Sequence, residues 1–162
     1  MDSREERGHV GRPALVYRLS ASGDALYPKI YDALANALIE ESRALLGTEA
    51  LQQLMKNVAA RFAEPYMGRL EGKPTAERVK EASKIIEERG CLADSDAEND
   101  DFLIRQHTCP FPHVAKRNSA VCAMEVEFVR LLVGTDARLM SSLLRGDDSC
   151  TYRLRAASRD PA

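Results

Sequence analysis

No Cys-x-x-Cys pair occurs in this sequence of 162 residues, so the usual spacings of zinc ribbons and zinc fingers are missing. There is no HExxH, no phosphate-binding glycine loop and no paired catalytic carboxylate, which removes the common hydrolase and nucleotide-binding signatures. No apolar run approaches the roughly 18 residues needed to cross a bilayer. The opening MDSREERGHVGR lacks the form of a secretion signal, and together these features predict a cytoplasmic protein. Charge of one sign is also lacking. With 23 Lys and Arg against 25 Asp and Glu, the net charge is -2, and any basic surface for nucleic acid has to be local. Tryptophan is absent and aromatics make up only 6%. There is no internal repeat and no low-complexity tract.

What is present is an ordinary globular composition, 44% hydrophobic and 30% charged. Leu15, Tyr17 and Leu19 alternate with Val16 and Arg18 as a strand does. From 24 to 46, Leu26, Ile30, Leu34 and Leu38 recur at steps of four, interrupted early by Pro28 and closed by Gly47. Leu51, Leu54, Met55, Val58 and Phe62 predict a second helix over 48–63, and a third runs over 75–89. Such stripes serve either as core or as the seam of a helical dimer. Beyond Gly90 the pattern changes. Short strands are expected near 91–94, 102–108, 138–144 and 150–155, with an acidic turn over 94–101 and a helix over 120–133 capped by Ser119. The fold class is α+β, with long helices followed by a small antiparallel-sheet unit.

All four cysteines, Cys91, Cys109, Cys122 and Cys150, lie in this second half. Cys109 follows a strand, Cys122 falls at the third position of a helix, where free N–H groups favour a thiolate, and Cys150 opens the last strand. Ends of elements can converge in a compact unit, and three soft thiolates spaced C-x12-C-x27-C would suit iron–sulfur or zinc. Equally, cysteine is a common small buried residue. His107, two residues before Cys109, is the best-placed fourth ligand. It also reads as a surface or hydrogen-bonded strand histidine. Cys91 has no patterned relation to the others. An enzyme with Cys122 as nucleophile lacks a nameable base, and the chain is not read as an enzyme.

The stretch Gly11-Arg12-Pro13-Ala14-Leu15-Val16-Tyr17-Arg18-Leu19-Ser20 resembles the wing of winged-helix bacterial regulators. His107-Thr108-Cys109-Pro110-Phe111, then Cys122, then Gly146-Asp147-Asp148-Ser149-Cys150-Thr151-Tyr152 resemble the effector half of the iron–sulfur repressors of the Suf cluster-assembly operon, regulators with ArsR/DeoR-like helix-turn-helix domains. The resemblance spans 11–155. It implies a remnant of a winged-helix domain over 1–23, a helical dimerisation region over 24–90, a sensor unit over 91–155 and a tail over 156–162. It implies a homodimeric, repressor-like transcriptional regulator. Cys109, Cys122 and Cys150 would hold a [4Fe-4S] or [2Fe-2S] cluster, and Arg12 would contact DNA. In that family a helix-turn-helix precedes the wing, and without it DNA reading by this chain alone is not expected. The alternative is a zinc-binding or metal-free interaction module.

Overall fold

The structure is a computed structural model and describes residues 2–6, 14–18, 20, 30–99 and 101–155. The chain divides into two compact units, Met1–Tyr31 and Asp32–Ala162. In the first, β1 (Asp2–Glu6) and β2 (Ala14–Arg18) pair antiparallel, with Asp2 opposite Arg18 and Glu6 opposite Ala14. The strand expected at 15–19 is therefore present. Its partner is a polar segment with no apolar face to announce it. Pro28 and the tail 156–162 lie outside the described residues.

The second unit is α+β. The helix α1 (Tyr31–Ala63) is followed by a 3-10 turn (Glu64–Tyr66), then by α2 (Met67–Leu70) and α3 (Thr75–Glu88). After β3 (Ala93–Glu98) and β4 (Asp101–Gln106) come α4 (Pro112–Ala115), α5 (Ala120–Val133), β5 (Ala137–Ser141) and β6 (Cys150–Arg155). The four strands form one antiparallel sheet in the order β3-β4-β6-β5. The helix α3 packs on β3 and β4, α5 packs on β5 and β6, and the two helices touch.

Gly47 breaks α1 with φ 82 and ψ 172, a conformation essentially restricted to glycine. This separates the two helical segments expected from the sequence. Their burial differs from the expected stripe. Beyond the break, Leu51, Met55, Ala59 and Ala63 are buried at steps of four. Before it, the core takes Asn36 and Ile39, while Ile30, Tyr31, Leu34, Leu38 and Leu45 remain exposed. Asn36 is held in the core by the buried Asn118, whose amide donates to it at 2.8 Å, while Arg43 donates to Asn118 at 3.2 Å.

The acidic segment expected as a turn is instead most of β3. Its carboxylates are neutralised across the ladder: Arg105 on β4 donates to Asp94 and Asp96, each at 3.0 Å, and Arg153 on β6 pairs with Glu98 at 3.2 Å. The helix α5 covers the 120–133 expected. Val121, Met124, Phe128, Val129, Leu132 and Val133 are buried along it. Ser119 precedes α5 without a capping side-chain bond. The far end is closed by Gly134 (φ 79) and by Arg78 of α3, which donates to the Leu132 carbonyl at 3.0 Å. A Cβ on Gly134 would stand 2.7 Å from the Arg78 guanidinium, so the residue serves both the turn and the close approach. One apolar core runs from Ile39 through α3 and α5 to Tyr152 and Leu154 on the sheet. Among the described residues, no helix is long and apolar enough to cross a membrane.

Candidate metal centre

Antiparallel register sets Cys150 opposite Gln106, the last residue of β4. The chain then leaves the sheet through the loop that carries Cys109. That loop is fixed at its base by Gln106, which is buried. Its amide donates to the Thr108 carbonyl at 3.0 Å and to the Cys91 sulfur at 3.4 Å, and its oxygen accepts from the Tyr152 hydroxyl at 3.3 Å. Thr108 is held from the other side, where its hydroxyl accepts from the Leu92 N–H at 2.9 Å. The first turn of α5 brings Cys122 to the same place. Cys109, Cys122 and Cys150 thus line one small cavity, of about 20 Å3, together with Phe111, Glu125 and Tyr152. Three elements remote in sequence contribute one thiol each.

All four cysteines are free thiols. Burial pushes the Cys122 thiol pKa up, and neighbouring Cys109 and Cys150 add to the shift, followed by Glu125. The Cys109 thiol is also raised by burial. It is opposed by the Phe111 backbone N–H, which donates to its sulfur, and reinforced by Cys150, Glu125 and Cys91. The depressed thiol expected for Cys122 at a helix start is therefore reversed. Loss of water is the largest cause, and two neighbouring sulfurs add to it.

Three sulfurs line the cavity, with the Glu125 carboxyl in its wall. The cavity as it stands is large enough for about one water. Among the described residues, no group of three or more His, Cys, Asp or Glu side chains is placed to hold a metal ion.

His107 lies elsewhere. Its Nε2 is 2.6 Å from the Asp94 carboxylate, both groups are half exposed, and the ring does not line the cavity. The strand ends at Gln106, so the period-two alternation that would align His107 with Cys109 does not extend that far. Cys91 is buried against Gln106 and is also outside the cavity lining. Arg12 lies outside the described residues.

Two residues of this region were not singled out from the sequence. Glu125, one turn beyond Cys122 on α5, is buried and paired with Arg89 at the end of α3, with Nη2–Oε1 at 3.0 Å. The Arg89 guanidinium also sits 4.1 Å from the centre of the Phe128 ring and 5.4 Å from that of Phe62. The signal available was an acid inside an otherwise apolar helix face. No protein-family model matches the chain, and no curated protein is significantly similar to it.

Proposed function

We propose that the chain is the dimerisation and sensing part of a repressor-like transcriptional regulator of the iron–sulfur type, and not an enzyme. The observation that carries this reading is the convergence of Cys109, Cys122 and Cys150 on one cavity from a loop, a helix and a strand. Bound there, a [4Fe-4S] or [2Fe-2S] cluster would supply charge compensation and redox sensitivity. Its loading would tie loop, helix and sheet together, and its loss would release them. Such a signal requires the cluster to favour one state of the protein over another. The exposed stripe Ile30, Leu34, Leu38 and Leu45 supports a second copy of the chain as the partner that receives the signal. The β1–β2 pairing is compatible with a wing, and the family resemblance gives Arg12 a contact with DNA. Sequence-specific DNA reading would need a helix-turn-helix in addition.

The test is anaerobic reconstitution with ferrous iron and sulfide, followed by metal and sulfide analysis and by thiolate-to-iron charge-transfer absorption. The reading predicts both components in the wild type and their loss in Cys109→Ser, Cys122→Ser and Cys150→Ser. Absence of iron and sulfide from the wild type would refute it. The second reading, a zinc-binding or metal-free module, is favoured by the small size of the cavity. Zinc without sulfide in the purified protein would decide for that reading.

A further inference from the structure

The end of α1, the 3-10 turn after it and the loop that follows Cys109 border a larger cavity, of about 460 Å3. That size is ordinary for a small-molecule site. Its walls are the rings of Phe62, Tyr66 and Phe111, together with Pro65 and Pro110. Pro65 stands at the start of the 3-10 turn, where a missing N–H costs little, and the chain leaves α1 there. The Tyr66 ring is backed by the Arg69 guanidinium, 5.8 Å from its centre, and Arg69 is itself clamped by Glu81 and Glu88. The Phe62 and Phe111 rings lie nearly parallel, 19° apart in plane, with centres 6.4 Å apart. That separation is near the far end of ring–ring contact, and Phe62 keeps 39% of its surface exposed. Apolar ring face is left uncovered.

Two cations and no acid line this space. Arg89 is matched. It pairs with Glu125 at 3.0 Å and rests 5.4 and 6.0 Å from the centres of Phe62 and Phe111. Arg61 is not matched. It stands in the last turn of α1, and among the described residues no carboxylate or other acceptor holds it. By contrast, Arg69, Arg105, Arg130 and Arg153 are each paired with acids. The site thus offers flat apolar walls and one uncommitted guanidinium, whose planar fork matches a carboxylate. A neutral apolar ligand would leave the guanidinium unused, and a compact inorganic anion would leave the rings unused. A flat ring that carries a carboxylate uses both.

We infer that the cavity bordered by Arg61, Phe62, Tyr66 and Phe111 is a binding site for a small aromatic carboxylate. The ring of the ligand stacks on the phenylalanines, and Arg61 takes its carboxylate. Arg89 keeps its pair with Glu125 and adds positive potential. Binding is noncovalent, with no bond or proton exchanged. The site is separate from the reading of the thiol cavity and does not depend on it.

The experiment is titration of the full chain with naphthoate, followed by the emission of the naphthoate itself, which the absence of tryptophan leaves unobscured. Naphthamide, its neutral counterpart, and cyclohexanecarboxylate, an acid without an aromatic ring, are tested as competitors. Saturable binding of naphthoate with a Kd below about 1 mM is expected, and both competitors should bind roughly ten-fold more weakly or worse. Arg61→Gln should weaken naphthoate roughly ten-fold or more through loss of a charge-assisted bond. Arg61 is exposed and unpaired, so this variant is expected to keep the wild-type circular dichroism. Arg138→Gln, on β5 and outside the cavity lining, should bind as wild type does. Absence of saturable binding, equal binding of the amide, or an unchanged Kd in Arg61→Gln overturns the inference. So does an equal loss in Arg138→Gln, which would mark a general charge effect. The titration needs neither iron nor sulfide, so its failure leaves the thiol-cavity reading as it stands.

Discussion

Cys122 occupies a helix position whose N–H groups favour a thiolate, yet its thiol is pushed toward the protonated form. Position in an element is visible in a sequence, whereas burial beside two other sulfurs is not. The same limit hid Arg89 and Glu125, which meet across 36 residues of chain. Their pair gives a stability prediction. Arg89→Met leaves the Glu125 carboxylate buried without a partner and is expected to destabilise the protein by about 3–5 kcal/mol in urea denaturation. Arg89→Met/Glu125→Gln should recover most of that loss. A single variant as stable as wild type would contradict the pairing. The surface carboxylates set the acid limit. Arg69 and then Lys73 hold the Glu81 carboxyl below its ordinary range, Arg130 does so for Glu127, and His107 followed by Arg105 does so for Asp94. Carboxyls depressed in the folded state stabilise it fully above their unfolded values of about 4. The denaturation midpoint is therefore expected to hold from neutral pH down to about 5 and to fall as these groups are protonated below it. A midpoint that rises on acidification through this range would contradict the assignment.

At the level of elements, α5 was fully legible, because an apolar stripe and a left-handed glycine at 134 bracket it. The strand β3 was not. Its alternation is Asp, Asp and Glu on one face, and these carboxylates are paired by Arg105 on β4, by His107 and by Arg153 on β6. The long helix was legible as a helix but not in its orientation. Leu34 and Leu38 fit a core stripe, yet the core takes Asn36 and Ile39, because Asn118 offers Asn36 a buried partner. The three cysteines that line one cavity could be singled out because each lies near an element boundary. His107 was drawn in by an alternation that stops one residue before it. The break at Gly47 yields an element-scale prediction. Alanine there meets no steric neighbour, so its cost is backbone strain alone, about 1–3 kcal/mol. Gly47→Ala should lower the thermal midpoint or straighten α1 with a gain in helical circular dichroism. No change in either would contradict a glycine-dependent break.

In the second unit, helices and sheet share one core, and Leu34, Leu38, Leu45 and Leu46 on the first half of α1 are among the apolar side chains left exposed. Sedimentation equilibrium should give a concentration-dependent mass approaching two chains. Leu34→Glu/Leu38→Glu should hold the protein at one chain without loss of helical signal, since both residues are exposed. A variant that associates as wild type does would place the partner surface elsewhere.

The central claim is that three sulfurs grip one centre, and differential alkylation of the reconstituted protein tests it most directly. With the centre loaded, Cys109, Cys122 and Cys150 should be protected together and in equal measure. Removing the metal should expose all three at once, with Cys91 unchanged throughout. If any one of the three reacts as fast in the loaded protein as in the empty one, the common centre is contradicted.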